Sequence, residues 1–248
     1  MSEVWTNTLL SVGLVSAVSL VGIFIISFGE NKIGSRSMLT FLVALAIGAL
    51  LGDLLIHLLP EIYEQVGIRS SFYVVGGFLV FFVLEKVLHW RHEHSQKDTS
   101  RIEPFGIMNL VADGVHNFID GALVAASYLV SIPVGLATTL AVVLHEIPQE
   151  LGDYGILRVA GFSKRAALGL NFGSALLAVL GAIVVLASGI DLDKYGPLIL
   201  AFTSGGFIYL IILLIRKLED EMAFRHAFGT VLGISIGIAV MWAITFLE

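Results

Sequence analysis

Long apolar stretches separated by short polar ones dominate this chain. Runs of about 20 apolar residues, the length an α-helix needs to cross some 30 Å of hydrocarbon, recur near residues 8–28, 37–60, 72–90, 105–129, 133–158, 166–190, 196–215 and 226–247. The polar connections between them range from the pair Ser131-Ile132 to the stretch from Arg91 to Pro104. This pattern predicts an all-α, polytopic membrane protein with eight transmembrane helices.

Basic residues then orient the spans, because cytoplasmic loops near span ends retain Lys and Arg. The odd-numbered connections and their helix ends carry Lys32, Arg36, Lys86, Arg91, Lys97, Arg101, Arg158, Lys164, Arg165, Arg216, Lys217 and Arg225. The even-numbered ones carry only Arg69 and Lys194, a split of 12 against 2 that uses all 14 basic residues. Both termini are therefore expected on the extracytoplasmic side.

Composition agrees with the pattern. Of 248 residues, 57% are hydrophobic and 14% charged, against about 45–50% and about 25% in ordinary soluble domains. The whole chain, 1–248, reads as a single transmembrane domain. No basic patch suggests nucleic acid, so the expected surroundings are a lipid bilayer. Cysteine is absent, which leaves only N and O donors for any metal. The first Lys or Arg is Lys32, whereas a cleavable signal peptide wants a positive start; the first span is expected to be retained. Short loops and a compact chain point to a prokaryotic plasma (inner) membrane.

Two spans contain residues that hydrocarbon disfavours. The fourth carries Asp113, His116, Asn117 and Asp120, and the fifth carries His145, Glu146, Gln149, Glu150 and Asp153. A charge at a helix centre costs roughly 2.5–3.5 kcal/mol on insertion scales, so such clusters mark functional sites. Offsets of three and four residues put each set on one helical stripe. His116 and His145 both lie roughly 17 Å along their helices, near mid-depth, and the short turn between the spans makes them antiparallel neighbours. Two stripes meeting at one depth can close around one or two cations, and imidazole plus carboxylate without thiolate suits Zn²⁺, Fe²⁺ or Mn²⁺. Pro148, inside the fifth-span stripe, removes a backbone donor and predicts a kink.

With HNFIDG at 116–121 and HEIPQELGD at 145–153, the chain resembles the ZIP family of divalent-metal transporters, in particular the branch whose fifth helix reads HEIPHELGD. Looser matches are GDLLIHLLPE at 52–61 and TSGGFIY at 203–209. The resemblance implies a secondary transporter that is not an enzyme, needs no catalytic cofactor, and carries a divalent metal into the cytoplasm, with Zn²⁺ foremost and Fe²⁺, Mn²⁺ and Cd²⁺ open. It implies a binuclear site with His116, Asn117, Asp120, His145, Glu146 and Gln149 at the ligand positions, and a homodimer. Gln149 departs from the branch's usual His and offers only a weak amide oxygen, which leaves the number of bound ions open.

Further metal candidates are Glu150, Asp113 and Asp153, with Asp53 and His57 as an entry pair on the second span. His89, His92 and His94 form a histidine-rich tract at the end of the third span, and such tracts bind metal. Asn171 and Ser174 are candidate wall residues on the sixth. Two glycine sets, Gly169 with Gly173 and Gly205 with Gly206, suggest close helix packing. The alternative function is an intramembrane zinc-dependent hydrolase, because His145-Glu146 begins like HExxH; Gln149 stands where that motif needs its second His.

Overall fold

The computed structural model describes residues 2–20, 36–94, 102–188, 192–221 and 227–246, and among these every regular element is helical. In chain order they are α1 (Ser2–Val18), α2 (Arg36–Gly52), a π-helical turn (Asp53–Leu58), α3 (Leu59–Val66), a 3₁₀ turn (Gly67–Arg69), α4 (Ser70–His94), α5 (Pro104–Val130), α6 (Ile132–Val159), α7 (Lys164–Ala175), α8 (Leu177–Ser188), α9 (Leu192–Glu221) and α10 (Ala227–Ile244). Three described stretches are long and apolar enough to cross a membrane: Arg36–Trp90, Lys164–Ser188 and Tyr195–Leu218. Phe228–Ile244 is a shorter apolar helix. The exposed surface is rich in large apolar side chains such as Leu10, Phe72, Val130 and Phe228, while carboxylates, amides and a histidine are buried. That inversion of the usual soluble arrangement suits an integral membrane protein.

The expected spans differ from these helices in instructive places. The first helix starts at Ser2 rather than near residue 8, because polar Glu3 in its first turn sits well against the positive helix N-terminus. The sixth span is two helices, α7 and α8, parted at Leu176. The second contains the π-turn, closed by the Leu59 N–H bonding to the Leu54 carbonyl just before Pro60. Proline has no N–H to continue the regular ladder and crowds the carbonyl one turn earlier, which drives a local widening. By contrast α6 remains helical through Pro148; what the proline removes there is one backbone bond.

Small residues set the packing. A side chain at Gly121 would meet the Ala178 backbone and one at Gly181 the Phe118 backbone, joining α5 to α8. Gly77 and Gly205 do the same for α4 and α9, against Phe202 and Val74, and Gly48 and Gly237 for α2 and α10. In the bilayer, such close backbone approach supplies dispersion contacts that apolar burial alone would not. Gly205 and Gly206 therefore pack as expected, the latter against Phe81. Gly169 and Gly173 do not: nothing lies within 4 Å of a side chain built at either, because that face of α7 points away from the described helices.

Two capped turns place the polar stripes. Ser131, extended between α5 and α6, accepts from the Val134 N–H at 3.3 Å, and Pro133 fits the first helical turn. Ser131 is thus the single residue between the two helices, which run antiparallel side by side. At the far end of α6, Gly161 adopts φ +100° and lets the Phe162 N–H reach back to the Leu157 carbonyl at 3.1 Å, a helix stop that needs glycine.

Candidate metal centre

Four side chains from the α5–α6 hairpin converge. His116, Asp120, His145 and Glu146 each offer one ligand atom, and those atoms all lie within 4.8 Å of one another. His145 Nε2 is 3.0 Å from Asp120 Oδ2, His116 Nε2 is 3.6 Å from the same oxygen and 3.7 Å from Glu146 Oε1, and His145 Nε2 is 3.9 Å from that oxygen. Ligands held about 2.0–2.2 Å from a tetrahedral zinc are separated by about 3.3 Å, so these distances bracket what one ion requires. Two imidazoles and two carboxylates also balance the charge of a divalent cation.

Burial makes the group exacting. His116, Asp120 and Glu146 are buried and His145 is half-buried. Neither nitrogen of His116 has a hydrogen-bond partner, nor has Glu146 Oε1. Leaving such atoms unbonded costs about 1–3 kcal/mol each, a cost that a coordinated cation removes. The His116 ring is positioned by packing instead: it lies 5.4 Å from the Phe207 ring of α9 and 5.5 Å from the His145 ring.

Asn117 and Gln149 are not in this quartet. The Asn117 amide donates to the Asp113 side chain at 2.7 Å and to its backbone carbonyl at 3.2 Å. Gln149 lines a separate small cavity with Asn109, Asp113 and Asp153. Around it the Asn109 amide donates to Asp153 at 2.9 Å, and the Asn171 amide donates to Glu150. Ser174 bonds back to the Asn171 carbonyl at 2.9 Å. The stripe read from the sequence is therefore two groups: one with imidazoles, the other of carboxylates and amides one turn further along both helices.

Asp53 and His57 lie apart from both, in the π-turn. His57 Nδ1 is 3.6 Å from Asp53 Oδ1, and Asp53 is buried. His89 is exposed on α4, and His92 and His94 lie outside the residues whose side chains are described. Two residues at the centre escaped the sequence reading. Asn109 continues the α5 stripe four residues before Asp113, so its spacing was a usable signal. Phe207 was visible only within the loosely matching TSGGFIY segment, and nothing in its spacing points at His116.

A family model described as ZIP zinc transporter matches residues 2–103 and 89–245. The zinc transporter ZIP13 of Pongo abelii is 37% identical over 218 residues, covering 81% of this chain and 65% of the relative. ZIP13 of Mus musculus is 34% identical over 249 residues, covering 81% and 68%. The zinc transporter zipt-7.2 of Caenorhabditis elegans is 27% identical over 309 residues, covering 100% and 67%. The chain spans about two thirds of the length of these curated relatives.

Proposed function

The chain belongs to the ZIP zinc transporter family, and from that premise we propose that it carries a divalent metal, zinc first, across a membrane toward the cytoplasm. The observation that carries the reading is the convergence of His116, Asp120, His145 and Glu146 inside two helices with apolar outer faces. In this reading the four residues hold one ion midway through the bilayer. The mixed N and O set favours Zn²⁺, Fe²⁺, Mn²⁺ or Cd²⁺ over hard cations that prefer oxygen alone, and the relatives' printed names favour zinc among them.

The proposal includes eight spans in one domain, 1–248, both termini outside, and a homodimer in the lipid bilayer. Charge asymmetry supports the orientation and the family resemblance the dimer. The relatives compared above are animal proteins and lend no support to a prokaryotic plasma membrane, so the location proposed is an integral membrane one only. A hydrolase gains nothing from the geometry: Gln149, where HExxH needs its second His, faces the other cavity.

Purified protein in liposomes containing a trapped zinc-sensitive dye tests the reading. Wild type should admit Zn²⁺, and His116→Ala or His145→Ala should reduce entry by at least about 100-fold, beyond the 10- to 100-fold that loss of a supporting group costs a metal site. Zinc that binds tightly yet never enters the liposomes sinks the transport reading.

A further inference from the structure

The cavity beside the quartet has a chemistry of its own. It measures about 10 Å³ and is lined in part by Asn109, Asp113, Gln149 and Asp153. That is room for about one water, or one cation stripped of most of its hydration shell. Asn109, Asp113 and Gln149 are each more than nine-tenths buried, and each presents a polar atom without a hydrogen-bond partner: Asn109 Oδ1, Asp113 Oδ2 and Gln149 Nε2. The last is an amide whose O and N exchange by a half-turn, so it can present an oxygen equally well.

Amides already occupy one oxygen of each carboxylate. Asn117 donates to Asp113 Oδ1 and Asn109 to Asp153 Oδ1, and the two carboxyl groups line the same small cavity. The Asn109 and Asn117 amide N–H groups are thereby used, while acceptors are left over: Asp113 Oδ2, Asn109 Oδ1 and Asn117 Oδ1 all lack a donor. A divalent cation satisfies such a buried surplus of oxygen acceptors all at once, whereas a proton shared between the two carboxyl groups satisfies the carboxylates alone.

Position links this cavity to the quartet. Asp113 and Asn109 precede His116 by three and seven residues on α5; Gln149 and Asp153 follow Glu146 by three and seven on α6. On antiparallel helices both offsets run the same way, about 4.5 Å and about 10 Å along the axis, toward the end bearing Arg158, Lys164 and Arg165.

We propose that Asn109, Asp113, Gln149 and Asp153 form a second cation station of oxygen donors alone, in series with the quartet, which receives the transported divalent metal as it leaves His116 and His145. The assignment rests on the transport reading above. Its donor set gives the two stations different work. Imidazoles select zinc-like ions, whereas oxygen donors hold such an ion more loosely and accept Mn²⁺ readily. An ion passing from the first to the second is thereby released inward rather than trapped.

Mn²⁺ followed by electron paramagnetic resonance, with zinc calorimetry alongside, tests this on the full-length protein. The double variant His116→Ala/His145→Ala should lose tight zinc binding yet keep one Mn²⁺ equivalent, and adding Asp113→Asn should weaken that equivalent by at least about tenfold. Alone, Asp113→Asn should leave one zinc bound at wild-type affinity, which also shows that it folds, and slow zinc entry into liposomes by about tenfold. If Asp113→Asn does not retain that zinc, Gln149→Glu decides: it should tighten Mn²⁺ binding by about tenfold, and no change overturns the station. A double variant that binds no Mn²⁺ also overturns it, as do unchanged Mn²⁺ binding and uptake with Asp113→Asn, the result if Asp113 and Asp153 merely share a proton. Wild type that carries no metal overturns the transport reading and this inference together; normal wild-type uptake with an indifferent Asp113→Asn overturns this inference alone.

Discussion

The pairs His116–Asp120 and Asp53–His57 use the same two residue types at the same i, i+4 spacing, and each brings a ring nitrogen within 3.6 Å of a carboxylate oxygen. Only the first belongs to a group of four. Beside His116 and Asp120 runs an antiparallel helix, tied by the single residue Ser131, which adds His145 and Glu146 at the same depth. The Asp53–His57 pair joins no such group among the described residues, and it sits in a π-turn rather than a regular helix. One helix can offer two ligands on one face; closing a coordination sphere takes a second helix in register. A candidate pair at helical spacing is thus half a site, and the neighbouring element decides whether it holds an ion or merely meets one in passing.

Parallel substitutions break the comparison most directly. Asp120→Ala should weaken zinc binding by at least about 100-fold, since it removes the carboxylate oxygen that both histidine rings face. Asp53→Ala should leave equilibrium affinity within about threefold of wild type and slow entry by roughly tenfold, the low end of what a charged approach contributes to an on-rate. Calorimetry and liposome uptake on both variants separate affinity from rate. Equal losses of affinity would make Asp53 a ligand and end the distinction.

A gentler change sharpens it. Phe207 reaches the quartet from α9 and packs on the His116 ring, which has no hydrogen bond to orient it. Phe207→Leu should keep the space mostly filled but free the ring, lowering zinc affinity by about tenfold, as loss of an orienting partner does. A fall in melting temperature with zinc affinity unchanged would reduce Phe207 to a packing residue.

These cases also show what was legible in the chain. Helical content, the α5–α6 hairpin and the ranges 105–129 and 133–158 could be read to within a residue, because apolar periodicity and a Ser-Ile-Pro turn dictate them. That His116, Asp120, His145 and Glu146 share a face followed from their spacing. How far each stripe divides did not. Asn117 lies next to His116 in the chain but turns to Asp113, and Gln149 lies one turn from Glu146 but faces Asn109 and Asp153; those choices depend on rotamers and on which amide finds which carboxylate. The division of the sixth span at Leu176 and the π-turn before Pro60 were equally hidden, since hydropathy windows average over such breaks. The start of α1 at Ser2 was missed for the same reason: polar residues in a first turn look like loop to a hydropathy count.

The π-turn supplies the smallest effect. Pro60 lacks the N–H that would continue an ordinary α-helical ladder, and the bond from the Leu59 N–H to the Leu54 carbonyl is the wider one that results. Pro60→Ala returns a donor at that point and lets the segment tighten toward regular helix, rotating Asp53 and His57 against the rest of the span. On the expectation that this pair serves approach rather than holding, zinc affinity should be unchanged. Entry should slow by about threefold, a barrier change of ~0.7 kcal/mol, while the melting temperature rises as the restored bond forms. Stopped-flow uptake with calorimetry on the same preparation reads both quantities. A loss of affinity on this substitution would show that the second span takes part in holding the ion, and the quartet would no longer be closed by α5 and α6 alone.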